Sequence, residues 1–251
     1  MSRQQISSEA HKLLPHANPL SVEQMQSLIE LALAKRPHTA LEVGCGAGAF
    51  SIALAERQDV RVVALDNNPY VLERATAAAA STKLIGKIDF LLCSATAYAG
   101  DPVDLIVCIG SSQAFGNPRQ ALQNLHKLLR PNGMLVFAEL TWSSKPPQNY
   151  LQYLGMSEED YWMIEASADV LANNNFAVEA QFVASTDAWA NYERGVLQGR
   201  LEFAKSLPPD ESSQLLADAI AWHESFERSG RHCLGFTALV ATHNGAEELS
   251  L

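Results

Sequence analysis

Three glycines and one aspartate have the spacing of a nucleotide-binding turn. Gly44, Gly46 and Gly48 alternate directly after an apolar run that ends at Val43, and Asp66 ends the next apolar run. Glycine permits left-handed backbone conformations and lets a ligand approach the main chain closely. The amides that begin the following helix face such a ligand, and a carboxylate at the next strand's carboxyl end accepts hydrogen bonds from a ribose diol. The pattern therefore predicts a site for an adenosine-type cofactor.

The elements that position this site follow from the apolar periodicity. The run 103–109 is almost continuously apolar, which is typical of a central parallel strand covered on both faces. The predicted strands are 39–43, 60–65, 88–92, 103–109, 134–140, 177–185 and 233–242. The predicted helices are 21–35, 47–57, 70–81, 118–129, 157–172, 188–206 and 210–229. This order predicts an α/β fold with a doubly wound, mostly parallel sheet of seven strands, which binds its ligand at the strands' carboxyl ends.

A single domain over residues 1–242 is the expected organisation. The N-terminal segment, about 1–36, is expected to form a lid over the site. Proline- and aromatic-rich sequence follows Leu140, so 141–150 is predicted to be a long loop. Helical cap insertions are expected at about 141–175 and 186–230, and residues 243–251 are expected to form a frayed tail.

The charge of the chain argues against a nucleic-acid partner. Lys and Arg total 18 against 28 Asp and Glu, so the formal net charge is −10, and no basic cluster interrupts this balance. No stretch approaches the roughly 18 apolar residues of a membrane span, so no membrane partner is expected. The four cysteines are scattered without metal-ligand spacing, so we expect no metal and a reducing, cytoplasmic compartment. A small-molecule partner is expected, and a homodimer is compatible with the sequence.

Four motifs carry a resemblance to a known enzyme family. They are the segments 42–48 (EVGCGAG), 66–67 (DN), 104–110 (DLIVCIG) and 128–133 (LLRPNG). Together they resemble the class I S-adenosylmethionine-dependent methyltransferases, by motif over about 35–140 and by element order to about 242. The segments 18–21, 108–116, 139–142 and 187–193 are similar to those of bacterial small-molecule methyltransferases of unassigned substrate. The resemblance implies a Rossmann-like methyltransferase fold and direct in-line transfer of a methyl group from S-adenosylmethionine to a small molecule.

The resemblance also implies which residues hold the cofactor. Glu42 is expected to pair with its amino group, and Asp66 with its ribose. The amides of Gly44, Gly46 and Ala47 are expected to surround its methionine part. Many family members hold the adenine through an acid after strand three, and here Ser94 stands in that segment. The complete predicted set is Glu42, Gly44, Cys45, Gly46, Ala47, Gly48, Asp66, Asn67, Ser94, Ala95, Cys108 and Gly110.

Candidates for acceptor binding follow strand four or lie in the predicted cap. They are Ser111, Gln113, Trp142, Trp189, Tyr192 and Glu193. Trp189 and Tyr192 lie three positions apart on one helical face beside Glu193, which predicts recognition of a cationic or amine acceptor. A general base is needed only if the acceptor is protonated at neutral pH. The candidates for this catalytic role are His11, Glu139 and Tyr192.

Two other functions satisfy part of the pattern. An NAD(P)-dependent oxidoreductase uses the same glycine spacing and the same ribose acid. Gly48, Glu42 and the lack of a recognisable hydride-transfer set argue against it. A non-catalytic protein that binds S-adenosylmethionine or S-adenosylhomocysteine has the same cofactor motifs as an enzyme. The preferred prediction is an S-adenosylmethionine-dependent methyltransferase.

Overall fold

The computed structural model describes residues 1–82, 84 and 86–244. Seven strands form one sheet, and buried clusters on its two faces join it to flanking helices, which confirms the predicted α/β fold. The strands are β1 Thr39–Val43, β2 Arg61–Asp66, β3 Ile88–Leu92, β4 Val103–Ile109, β5 Leu129–Trp142, β6 Phe176–Val183 and β7 Leu234–His243. The helices are α1 Arg3–Ala10, α2 Val22–Ala34, α3 Ala49–Arg57, α4 Pro69–Ser81, α5 Pro118–Leu128, α6 Gln148–Leu154, α7 Ser167–Ala172, α8 Thr186–Ala204, α9 Pro209–Ser225 and α10 Arg231–Cys233.

The strand order places the ends of three strands together. The order is β3-β2-β1-β4-β5-β7-β6, in which β7 runs antiparallel to β5 and β6 and the remaining neighbours are parallel. Val43 at the end of β1 pairs with Leu65 of β2 and with Cys108 of β4. The chain leaves β1 towards β3 and returns to β4, so a crevice is expected at the carboxyl ends of β1 and β4.

Alternating side chains of the central strands divide the core between the two faces. Ala40 of β1 belongs to one buried cluster with Leu54 of α3, whereas Leu41 belongs to the other with Leu122 of α5. This alternation follows from the two-residue period of a strand. Burial on both faces explains why β4 is almost continuously apolar.

Side-chain caps begin two of the helices that surround the site. The Ser21 hydroxyl accepts from the Gln24 amide at 3.2 Å, and the Gln24 side chain accepts from the Ser21 amide at 3.0 Å. This reciprocal pair is the capping box of α2. The Asn68 side chain accepts from the Tyr70 amide at 3.0 Å and begins α4 directly after β2.

The single helix predicted over 157–172 is wrong. Two 3₁₀ turns, Glu158–Asp160 and Ile164–Ala166, precede the short α7. The Trp142 amide donates to the Trp162 carbonyl at 2.9 Å, and Trp142 forms a parallel bridge with Met163. Residues 162 and 163 are therefore extended beside the end of β5. Their pairing with Trp142 uses backbone groups that a continuous helix would need for its own hydrogen bonds. In addition, α6 occupies part of the predicted loop 141–150.

Three further differences concern the ends of elements. Residues 130–133, which separate the predicted helix 118–129 from the predicted strand 134–140, are part of β5, where the pairing with β4 shifts register and Asn132 has a φ of 63°. α1 was not predicted, and the Ser2 hydroxyl caps it by accepting from the Gln5 amide at 3.1 Å. β7 extends to His243, and the rest of the predicted tail beyond Asn244 lies outside the described residues. Among the described residues, no helix combines the length and apolar character that crossing a bilayer requires.

Candidate functional site

A cavity of about 600 Å³ lies at the carboxyl ends of the central strands. It is lined by residues 42–47, 65–68, 93–95 and 109–111, which end or follow β1 to β4. Residues of α1 and of the connection to α2 also line it, together with Tyr192 of α8. The volume lies within the range of small-molecule and cofactor sites.

The glycine loop turns at the floor of this cavity. Gly44 and Gly46 adopt left-handed φ values of 70° and 54°. A Cβ placed on Gly46 would have no described atom within 4 Å, so this residue faces open space. The amides of Gly44 and Cys45 both donate to the Leu65 carbonyl, at 2.8 and 2.9 Å. The Gly44 N–H therefore joins the loop to β2, while the residue itself lines the cavity, as expected for the cofactor loop.

Asp66 is held at the tip of β2 by two backbone amides. Its Oδ2 accepts from the Gly46 amide at 2.9 Å, and its Oδ1 accepts from the Asn68 amide at 2.9 Å. The Gly46 amide is thus also engaged within the protein. Each carboxylate oxygen keeps acceptor capacity for a further donor. This oriented acid in a cavity wall fits the diol of an adenosine cofactor.

Glu42 lies on the cavity wall and is almost completely buried. Its Oε2 accepts from the Ser51 amide at 3.0 Å and from the Ser51 hydroxyl. Burial raises the pKa of Glu42 to about 7; the bonds from Ser51 oppose this change and the nearby Asp66 adds to it. A cationic amino group beside Glu42 favours the ionised carboxylate. The position and chemistry of Glu42 therefore fit the amino end of the expected cofactor.

The segment expected to hold the adenine lines the same cavity. Ser94 and Ala95 are on the wall, and the Ser94 hydroxyl lies 3.3 Å from the Thr96 hydroxyl. The neighbouring Asn67 and Asn68 fasten α1 to the start of α4. Gln4 Nε2 donates to the Asn67 carbonyl at 2.7 Å, and Asn68 Nδ2 donates to the Gln4 carbonyl at 2.9 Å.

His11 and Tyr192, two of the catalytic candidates, meet in this cavity. His11 Nε2 lies 2.9 Å from the Tyr192 hydroxyl, and His11 Nδ1 lies 2.8 Å from the Ser7 carbonyl. A carbonyl only accepts, so Nδ1 carries the proton; in the neutral ring Nε2 then accepts from Tyr192. Burial lowers the pKa of His11, and the positive charges of Arg200 and Arg74 also lower it, whereas the Ser7 carbonyl opposes this. The neutral ring is therefore favoured at neutral pH.

Three candidates after β4 line the cavity, although their polar groups are partly engaged. Gly110, Ser111 and Gln113 are all on its wall. The Ser111 hydroxyl donates to the Val43 carbonyl at 2.7 Å, so it joins the ends of β4 and β1. The Gln113 side chain donates to the Gly110 carbonyl at 3.3 Å and is exposed. Gln113 thus has the freer polar group of the two.

Several predicted site residues do not line the cavity in the described part of the chain. They are Gly48, Cys108, Glu139, Trp142, Trp189 and Glu193. A Cβ on Gly48 would face the Phe90 ring, and Cys108 is buried in the core of β4. Glu139 accepts from the amides of Ser112 and Leu140 at 3.2 and 2.8 Å, and burial raises its pKa. These assignments are corrected because Gly48 packs beside the Phe90 ring and the other five side chains are buried in the protein interior.

The three corrected cap candidates are held by interior contacts. Trp142 Nε1 donates to the Glu158 carbonyl at 2.9 Å, and Trp189 packs against Phe226. The Glu193 carboxylate accepts from Trp222 Nε1 at 2.9 Å and is buried. The predicted recognition of an amine by Trp189 and Glu193 is therefore wrong, and Tyr192 alone of that group reaches the cavity.

An N-terminal lid and His11 were expected from the sequence, but other polar residues that line the cavity from α1, from the segment after it and from α4 were not. Arg3, Gln4, Ser7, His16, Asn18, Asn68 and Arg74 all line the cavity. The only local signal was the position of Arg74 in the second turn of the helix that follows Asp66. Within the described chain, no group of three histidine, cysteine, aspartate or glutamate side chains is arranged to hold a metal ion.

Comparisons with known proteins agree with this geometry. A family model described as a methyltransferase domain matches residues 34–195. The uncharacterised Escherichia coli protein YjhP is 21% identical over 242 residues, 94% of this chain and 96% of YjhP. A SAM-dependent methyltransferase from Thiobacillus denitrificans, solved with S-adenosyl-L-homocysteine, has a TM-score of 0.85 at 19% identity, covering 97% of this chain and 99% of that chain.

A shorter match reaches an enzyme with a different kind of acceptor. The Escherichia coli tRNA 5-carboxymethoxyuridine methyltransferase is 34% identical over 98 residues, which are 38% of this chain and 37% of that enzyme. The structural likeness supports the fold, and the family model covers more than half of the chain. The chain therefore belongs to the methyltransferase-domain family and is a class I S-adenosylmethionine-dependent methyltransferase.

Proposed function

We propose that this enzyme methylates a small molecule whose acceptor atom carries a proton, and that Tyr192 and His11 remove this proton. The 2.9 Å contact between His11 and Tyr192, in the cavity that also contains the glycine loop and Asp66, carries the proposal. Glu42, Gly46 and Asp66, with Ser94 and Ala95, are the proposed cofactor-binding residues. Gly110, Ser111 and Gln113 are proposed to border the acceptor.

The chemistry divides between the cofactor and the two side chains. S-adenosylmethionine, when bound, supplies a methyl group on a positively charged sulfur. Tyr192 accepts a hydrogen bond from the acceptor through its oxygen while its own hydroxyl donates to His11 Nε2. As the acceptor loses its proton to the Tyr192 oxygen, the Tyr192 proton passes to Nε2, and the ring becomes an imidazolium that donates from both nitrogens. The Ser7 carbonyl stabilises that cation by accepting from Nδ1.

Size and charge support a small acceptor over a nucleic acid. The cavity of about 600 Å³ is bordered by α1 and the following connection as well as by the sheet, so we propose that residues 1–36 form a lid and the helices after β5 a cap. A formal net charge of −10 disfavours association with a phosphate backbone. All four cysteines are free, which supports a cytoplasmic location.

The proposal is tested by transfer of a labelled methyl group. Purified enzyme is incubated with S-adenosylmethionine labelled in its methyl group and a metabolite extract, and labelled products are separated by mass. A labelled product below about 1 kDa is expected, with transfer at least tenfold slower in Tyr192→Phe. Label that appears only in tRNA or protein when these are added would contradict the proposed acceptor class.

A further inference from the structure

We propose that the acceptor is an acid and that Arg74 and Arg3 bind its carboxylate or phosphate group. This inference rests on the proposed function and names the substrate class of the same cavity. Arg74 comes from α4 and Arg3 from α1, and both side chains line the cavity that contains Tyr192 and His11. The carboxylate or phosphate of the substrate would therefore lie beside Tyr192 and His11, which are proposed to remove its proton.

Arg74 has unused hydrogen-bonding capacity in this position. Its Nε is buried and has no hydrogen-bond partner among the described residues. Neither Arg74 nor Arg3 is within 4.0 Å of a carboxylate oxygen in the described part of the chain. A partly buried guanidinium without an anion has lost hydration and gained no compensating bond. A planar donor of this type matches a carboxylate or phosphate geometrically.

The two acids on the cavity wall are held by other groups. Glu42 accepts from Ser51, and Asp66 accepts from the amides of Gly46 and Asn68. These acids follow or belong to β1 and β2, whereas the arginines belong to α4 and α1. The cavity thus has an acidic side at the strand ends and a basic side at the helices, within a chain whose net charge is −10. Such a local reversal of charge attracts and orients an anion.

The carboxylate of the cofactor is the other anion that could reach these arginines. Its expected place is beside the glycine loop and Glu42, where the cofactor's amino and carboxylate groups share one carbon. Arg74 lies in the second turn of α4 and lines the same cavity as His11, and its positive charge contributes to lowering the pKa of that ring. Arg74 is therefore assigned to the His11 and Tyr192 side of the cavity. Binding measurements distinguish an arginine that binds the acceptor from one that binds the cofactor's carboxylate.

The first experiment measures anion binding directly. Protein saturated with S-adenosylhomocysteine is titrated with inorganic phosphate and with acetate by calorimetry at constant ionic strength. Saturable binding of at least one anion is expected in the wild type, weakened at least tenfold in Arg74→Ala, partly restored in Arg74→Lys and unchanged in Arg57→Ala. Arg57 is a suitable control because it is exposed at the end of α3. Absence of anion binding in the wild type, or equal binding in Arg74→Ala, would overturn the proposal.

Affinity for S-adenosylhomocysteine in the anion-free protein decides the competing assignment. We expect Arg74→Ala and Arg3→Ala to change this affinity by less than threefold. A loss of tenfold or more in Arg74→Ala would assign the guanidinium to the cofactor and overturn the inference.

The second experiment uses the labelled methyl group. The metabolite extract is divided on an anion exchanger at pH 7 into retained acids and unretained compounds, and each fraction is offered to the enzyme. Label is expected in the retained fraction, with at least tenfold less product from Arg74→Ala. Label only in the unretained fraction would contradict the acidic acceptor. If neither fraction is labelled, the proposed function fails, while the phosphate and acetate titrations still decide whether Arg74 binds an anion.

Discussion

Ser111 stands where a side chain on Gly44 would have to go. A Cβ built on Gly44 lies 2.3 Å from the Ser111 Cβ, and the Ser111 hydroxyl donates to the carbonyl of the preceding Val43 at 2.7 Å. The ends of β1 and β4 therefore approach each other so closely that only glycine fits between them. Both residues line the cavity, so this contact joins the ends of β1 and β4 at its wall.

Gly44→Ala is predicted to damage the cofactor site and to be partly rescued by a second substitution. The left-handed φ of 70° costs about 1–2 kcal/mol for a residue with a Cβ, and the clash with Ser111 adds to it. We expect at least tenfold weaker binding of S-adenosylhomocysteine and a lower melting temperature. In Gly44→Ala/Ser111→Gly the clash is absent, so the loss should be smaller than the sum of the single losses. Strict additivity would show that the contact is unimportant.

Asp66→Ala is predicted to weaken binding of S-adenosylhomocysteine by about 1–3 kcal/mol, because it removes charge-assisted acceptors for the ribose. It also frees the Gly46 and Asn68 amides that the carboxylate now accepts from. Asp66→Asn keeps one acceptor oxygen and should lose less affinity. Calorimetry measures both variants, and unchanged affinity in Asp66→Ala would discredit the ribose contact.

Glu42 should make the cofactor-free protein less stable as pH rises. Its folded pKa of about 7 exceeds the ordinary value of 4.5, so the native state retains a proton that the unfolded state has lost between these values. The protonated Glu42 adds on the order of 3 kcal/mol to the free energy of unfolding. This contribution is complete below pH 4.5 and is lost as pH rises through about 7. Urea unfolding measures the difference in the free energy of unfolding between pH 5 and pH 8. This difference should be smaller in Glu42→Gln than in the wild type, but unchanged in Glu56→Gln, because Glu56 is an exposed residue of α3. Equal pH dependence in both variants would contradict the assignment.

Two glycines of α8 give a matched test of the lid. A Cβ on Gly199 would lie 2.3 Å from the Ala10 carbonyl oxygen at the end of α1, whereas one on Gly195 would meet the tip of the Leu14 side chain at 2.3 Å. A flexible side chain can move, but a backbone carbonyl in a docked helix cannot move cheaply. Gly199→Ala should therefore expose α1 to hydrogen exchange and reduce turnover at least fivefold. Gly195→Ala should be nearly neutral, and equal exchange in the two variants would count against close docking of α1.

The proposed proton transfer predicts a pH profile. His11 must be neutral to accept from Tyr192, and its pKa is below the ordinary 6.5 because of burial and nearby arginines. The titration of His11 should leave kcat/KM unchanged above pH 6.5. At lower pH, kcat/KM should fall as the His11 ring becomes protonated. His11→Gln should lower the plateau and abolish the acidic limb, while binding of S-adenosylhomocysteine stays within threefold. An acidic limb that survives in His11→Gln would assign the titration to another group.

The sequence predicted the sheet and the cofactor loop because their signals are local. Each strand has its own apolar run, and the glycines at 44 and 46 and the acid Asp66 lie within about 25 consecutive residues. The pairing of His11 with Tyr192 joins residues 181 positions apart, and no local pattern specifies it. Likewise, periodicity placed Trp189, Tyr192 and Glu193 together on α8, but packing against α1 and α9 turned only Tyr192 towards the cavity.

Gln4 and His11 lie at the two ends of the same short helix, α1. The proposed proton transfer to His11 therefore depends on the docking of this helix. Gln4 exchanges hydrogen bonds with Asn67 and Asn68, and His11 caps the other end of α1 and meets Tyr192. If α1 swings away to admit or release ligands, it carries His11, the group proposed to take the Tyr192 proton, with it. With α1 undocked, Tyr192 cannot pass its proton to His11, so the open enzyme does not turn over. The rates at which α1 docks and undocks then set an upper limit on the turnover number.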